Sequence, residues 1–187
     1  QLEAMPEEMA RALRHGDWDI VAGHMFSKFR RHLHVIPPFG IAQDWTRWRA
    51  VDYGFASPFC CLWVARSPDK RRLIVYRELY QAELRAKEQA QAIRLASARE
   101  TIGLTAADPS MWQRRQDAIG GTLADEYLAA GVHLSKANND RLVGWATVHE
   151  ALAWKEIGGQ LVQPPRLRIF DNCVNLIRFL GNAPRDG

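Results

Sequence analysis

Two aspartates stand at the ends of short apolar runs: Asp52 in Arg49-Ala50-Val51-Asp52-Tyr53-Gly54, and Asp108 in Leu104-Thr105-Ala106-Ala107-Asp108. If those runs are neighbouring parallel strands, the two carboxylates meet at one edge of a sheet. Carboxylate oxygens suit hard divalent cations such as Mg2+ or Mn2+. Two such ions about 4 Å apart can activate a water, neutralise the non-bridging oxygens of a phosphodiester and stabilise its leaving alkoxide. Gly54 lets a turn or a substrate backbone approach closely, because it carries no side chain. A plainer reading stays open. Asp-Tyr-Gly and Asp-Pro both start turns, where Asp bonds the backbone two residues on.

Several further residues have both a chemical and a plain reading. Asp171, after Phe170, could be a third acid or the N-cap of the last helix. Glu78, near the end of a third apolar run, could approach the metal cluster or be an outward charge on an edge strand. Arg114, Arg115, Lys136 and Arg141 follow the second acid or open a helix. From there they could touch DNA phosphates, positioning a duplex without reading its bases. A solvated face explains any one of them equally well. His133 and His149 are too far apart in sequence to form a zinc pair. Cys60, Cys61 and Cys173 contain no Cys-x-x-Cys, so buried, reduced thiols are expected. Trp48, Trp63, Trp112, Trp145 and Trp154 read as core residues and show no single-strand-stacking signature.

The scaffold must hold these groups within 187 residues, of which 47% are hydrophobic and seven are tryptophan. One substantial core with a small attachment is expected. The formal charge of +4 gives a weak leaning toward phosphate-rich partners. No apolar run approaches the roughly 18 residues of a membrane span, so no membrane partner is expected.

Three strands are read at Trp48–Tyr53, Phe59–Ala65 and Leu73–Leu79, the last two joined by the turn Ser67-Pro68-Asp69-Lys70 into an antiparallel meander. A helix from Ala82 to about Arg99 follows, with Ala82, Ala86, Ala90 and Ile93 on one side. Next come the strand Leu104–Ala107 and a short helix near Ala124–Ala130 that leads to Val132-His133-Leu134. A long helix runs from an Asn139-Asp140 cap to about Glu156, stopped by Gly158-Gly159. The strand Leu167–Phe170 and a last helix through Val174, Ile177 and Leu180 complete the order βββ-α-β-α-β-α. Near the N-terminus a short helix is read over Pro6–Leu13, and Ile36-Pro37-Pro38-Phe39-Gly40 reads as irregular. The fold class is α/β, a mixed sheet with flanking helices.

Gly16-Asp17-Trp18, Trp45 before Arg49-Ala50-Val51-Asp52-Tyr53-Gly54-Phe55 and Pro58, Ala107-Asp108-Pro109, and Ala137-Asn138-Asn139-Asp140-Arg141 with Gly144-Trp145 carry a resemblance in order and spacing. The chain resembles, over nearly its whole length, the C-terminal nuclease domain of the large terminase subunit of tailed bacteriophages, within the ribonuclease-H-like superfamily. The resemblance implies a metal-dependent endonuclease that cuts concatemeric viral DNA during genome packaging. It further implies Asp52 and Asp108 as the first and second catalytic, metal-binding acids on adjacent parallel strands, with two Mg2+ or Mn2+ ions. Implied partners are double-stranded DNA, an ATPase domain, the portal and the small terminase subunit. The implied place of action is the host cytoplasm, at the procapsid portal.

Two departures from that family qualify the expectation. No Gly-x-x-x-x-Gly-Lys-Ser/Thr loop occurs, so the chain holds no ATPase site by this motif. Residues 1–44 are then an extension from an absent ATPase domain, and 45–187 the nuclease domain. The family's third acid lies in an Asp-His-x-x-Asp-Ala-Leu-Arg-Tyr-like block, which is not found before Asn182-Ala183-Pro184-Arg185-Asp186-Gly187. Asp186 stands at a comparable distance, but its setting resembles the loop preceding that block. Weak metal binding and slow cutting are therefore expected of this chain. A non-catalytic DNA-binding or portal-docking module and a recombinase-like strand-transfer enzyme are the alternatives.

Overall fold

The computed structural model describes residues 26–114 and 121–182, the Arg141 side chain excepted. The reading of a helix over Pro6–Leu13 lies outside the described residues, as do Gly16-Asp17-Trp18, Arg115 and Asp186.

A seven-stranded mixed sheet organises the chain. Its strands are β1 (Val35–Ile36), β2 (Thr46–Asp52), β3 (Phe59–Arg66), β4 (Leu73–Gln81), β5 (Leu104–Ala107), β6 (Ser135–Lys136) and β9 (Leu167–Phe170), in the order β1-β9-β4-β3-β2-β5-β6. The expected meander is present: β2 pairs antiparallel with β3, and β3 with β4. The β3–β4 connection closes where the Ser67 hydroxyl accepts from the Arg72 amide and donates to Asp69. Beyond the meander all pairings are parallel, β5 beside β2, β6 beside β5, β9 beside β4 and β1 beside β9.

Alternation along β3 shows why two helical layers are needed. Phe59, Cys61, Trp63 and Ala65 are buried on one face, while Cys60, Leu62, Val64 and Arg66 are half-buried on the other. The first face packs on α2 (Ala86–Ala96) and α3 (Leu123–Ala129), through Ala86, Ala90, Ile93 and Tyr127. The second meets α4 (Arg141–Leu152) and α5 (Val174–Asn182), through Leu152, Cys173, Ile177 and Leu180 against Val75 and Ile169. Asp140 caps α4 as expected, accepting from the Leu142 and Val143 amides at 3.0 and 3.2 Å.

Three readings need correction. The segment before the meander is not wholly irregular: after a single helical turn, α1 (Arg31–His34), Val35 and Ile36 form an edge strand of the sheet. His34 fixes that turn, because its fully buried ring bonds the Arg30 backbone through Nδ1 and donates from Nε2 to the Leu152 carbonyl at 3.0 Å. The α4 helix ends at Leu152, and Gly158-Gly159 instead turn a separate exposed hairpin, β7 (Lys155–Ile157) with β8 (Gln160–Gln163). Both glycines have positive φ, 58° and 79°, as a two-residue hairpin turn requires. Finally, α2 starts at Ala86, four residues later than its apolar spacing suggests, because Glu83 has φ 64° and breaks the helix.

Candidate active site

Asp52 is the last residue of β2, and Asp108 follows the last residue of β5. The two strands are parallel neighbours, with Val51 paired to Ala107. Each aspartate is one step beyond that pair. Val51 and Ala107 are buried in the α2/α3 core, so period-2 alternation sends Asp52 and Asp108 to the opposite face. Over β2 and β5 that face is open, for Ala50 and Leu104 are exposed there. The helices α4 and α5 pack farther along the sheet, against β9 and β4 respectively.

A buried arginine locks the two strands together beneath the acids. Arg49 donates from Nε and Nη2 to the Thr105 hydroxyl at 3.1 and 2.8 Å, and from Nη1 to Ser97. Ser97 also accepts from the Trp63 indole. The turn after Asp52 is equally constrained: a Cβ on Gly54 would lie 2.3 Å from the Ser57 carbonyl oxygen, so only glycine fits. The Gly54 carbonyl accepts from the buried Gln89 amide, whose oxygen accepts from Tyr127. The sheet edge beside Asp52 is thereby tied to α2 and α3.

The two carboxyls are electrostatically unequal. Partial burial first, and then the charge of Asp108, push Asp52 above the usual carboxylate range. Asp108 is held below that range by hydrogen bonds from Ser110, including its amide at 2.7 Å. The same bond caps a short 3-10 helix, Pro109–Trp112, so the plain turn-starting reading of Asp108 is also correct. The pair forms an acceptor set whose mutual repulsion a cation relieves. Cys60, paired with Asp52 across β2 and β3, is not a competing nucleophile. Its thiol is pushed up to about 11 by burial, then by Glu78 and Asp52.

Neither a protein-family model nor a curated protein matches this sequence. Solved structures do match. The bacteriophage P22 large terminase nuclease domain superposes with a TM-score of 0.66 at 17% identity, over 86% of this chain and 79% of that one. A large terminase from a thermophilic bacteriophage gives 0.65 at 16% identity, over 86% of this chain and 37% of that one. The large terminase nuclease domain of bacteriophage SPP1, solved with bound Mn, gives 0.53 at 16% identity over 80% and 78%. The chain shares the mixed-sheet fold of these phage terminase nuclease domains. The chain therefore spans most of the P22 nuclease domain and 37% of the longer thermophilic-phage protein.

Within this fold the secondary candidates divide. Glu78 lies on β4 beyond Val75, where the pairing with β9 stops, but it is half-buried and not an outward-facing charge. Its carboxylate accepts from the Asn175 and Leu176 amides at 2.8 and 2.9 Å, and from the Asn175 side chain. It caps α5, the role expected of Asp171. Asp171 is exposed at the end of β9, three strands from β2. Among the described residues no three His, Cys, Asp or Glu side chains cluster in a metal-binding group. Lys136 ends β6 beside β5 and places its ammonium 5.6 Å from the Trp112 ring centre. Arg114 is exposed, and Arg141 opens α4. His133 is exposed, while the His149 ring packs tilted against Phe26, 5.5 Å between centres. The sequence reading missed Gln89, although it shares the Ala86, Ala90 and Ile93 face of α2, where a polar residue needs partners.

Proposed function

We propose that this chain is a divalent-metal-dependent endodeoxyribonuclease of the terminase large-subunit type, with Asp52 and Asp108 as its catalytic acids. The observation that carries the reading is their position at adjoining ends of parallel β2 and β5, on the uncovered face of the sheet. Two oxygen-donating carboxylates with opposed shifts fit a hard cation, with water completing its shell. When bound, Mg2+ or Mn2+ supplies Lewis-acid charge for the phosphodiester and acidifies its water. Asp108, held ionised by Ser110, is the constant anionic ligand. Asp52 becomes fully available once its more tightly held proton is lost. Arg49 and Gly54 keep the two side chains in register and leave room for the backbone of a duplex.

In this reading the partners are double-stranded DNA, an ATPase domain, the small terminase subunit and the portal, and cutting accompanies genome packaging at the procapsid. The nuclease unit then begins before Val35, because β1 is one of its strands. Lys136, Arg114, Arg115 and Arg141 are its proposed phosphate contacts. A non-catalytic DNA-binding role is the second reading, favoured by the absence of a three-ligand cluster among the described residues. Calorimetric titration with Mn2+ separates the two. Binding by the wild type that is lost in Asp52→Asn supports the nuclease reading; no binding, or binding untouched by the substitution, favours the alternative.

A further inference from the structure

A second polar feature lies away from the two aspartates. Between α1 and α5 is a cleft of about 530 Å³ lined by Phe29, Arg30, Arg31, Asp171, Arg178 and Asn182, among others. Arg30 is 6% exposed, so its guanidinium is almost wholly enclosed. Nη1 donates to the Ser27 and Phe29 carbonyls, both at 2.9 Å, but Nε is buried with no hydrogen-bond partner. That nitrogen is closed to solvent and meets no ligand itself; it is the guanidinium charge, enclosed beside the cleft, that an anion in the cleft would offset. Arg31 and Arg178 are exposed on either side, and with Arg30 they outweigh the single carboxylate of Asp171.

We propose that this cleft is a seat for a backbone phosphate of duplex DNA, with Arg30 as its buried wall and Arg31 and Arg178 at its rim. The choice of ligand rests on the nuclease reading; the cationic character of the cleft does not. Its position fits a duplex that also covers the two aspartates. The α5 helix packs on the same sheet face that Asp52 occupies, and Asp171 ends β9 three strands from β2. At a strand spacing of about 4.8 Å, three strands make about 14 Å. That is close to the roughly 12 Å width of the major groove, so one duplex can place phosphates at both positions. The seat reads no bases, as suits a cutter with loose sequence preference.

The test measures binding and needs no cleavage. Fluorescence anisotropy of a labelled 24-base-pair duplex, in EDTA and over a series of salt concentrations, is recorded for wild type and Arg31→Ala/Arg178→Ala. Circular dichroism confirms that the variant folds, and both substituted arginines are exposed. The proposal predicts a five- to tenfold weaker Kd for the double variant, and a slope of log K against log salt shallower by about 2. An unchanged Kd and slope in the double variant overturns the proposal, as does a wild type that binds an acidic peptide but not the duplex. The two ideas can fail separately. Mn2+-dependent cutting with unaltered binding in the double variant would sink the phosphate seat alone, whereas a lowered slope without any cutting would sink the nuclease reading alone.

Discussion

Asp52 and Asp108 sit one position beyond the paired residues Val51 and Ala107, at the same end of two parallel strands, yet their carboxyls are shifted in opposite directions. Burial first, and then repulsion by Asp108, raises Asp52, whose folded-state proton affinity exceeds its unfolded one. Its contribution to stability is present below the ordinary value of 3.8 and is lost as pH rises through the raised folded value. Without metal, Asp52→Asn is expected to raise Tm at pH 7 by about 1–2 °C, since exposed charge pairs are worth well under 1 kcal/mol. Differential scanning calorimetry at pH 7 in EDTA checks this, and a lower Tm would mean that the acids do not repel.

Glu78 gives a test of role against role. As the cap of α5 it should matter to folding and not to metal. Glu78→Gln is expected to cost about 1–2 kcal/mol of stability, through loss of a charge-assisted cap at a helix N-terminus, and to leave Mn2+ affinity unchanged. Urea unfolding and calorimetric titration report the two quantities. A drop in affinity without a loss of stability would make Glu78 a ligand.

The acid sensitivity of the sheet edge should reside in His34. Burial, the largest influence, lowers its folded value below the ordinary 6.5, and its ring is held between the Arg30 and Leu152 backbones. Stability from the neutral ring is therefore complete above 6.5 and declines as pH falls toward the lowered folded value. Unfolding free energy is expected to drop as pH falls below 6.5, and His34→Gln should flatten that drop while costing about 2–4 kcal/mol at higher pH from unpaired backbone groups. An equal pH dependence in the variant would assign it elsewhere.

The meander and β5 were legible because Phe59–Ala65 and Leu104–Ala107 are apolar runs and Ser67-Pro68-Asp69-Lys70 is a strong turn signal. The two aspartates were legible as strand-end acids for the same reason. The strand Val35–Ile36 was not, because two residues carry no measurable period and its pairing partner is Ile169–Phe170. The α5 cap was hidden by distance: Glu78 and Asn175 are 97 residues apart, and nothing local to either announces the other. Gly158-Gly159 allow both a helix stop and a hairpin turn, and the polar, exposed strands around them gave no alternation to decide between the two.

The central claim is that Asp52 and Asp108 hold a divalent cation for DNA cleavage. Conversion of supercoiled plasmid to nicked and linear forms, followed with Mn2+ and with EDTA, tests it most directly. The account predicts slow, Mn2+-dependent conversion by the wild type, and at least a hundredfold loss in Asp52→Asn and in Asp108→Asn with both variants still folded. Conversion that persists in EDTA, or that proceeds at the wild-type rate in either variant, would contradict it.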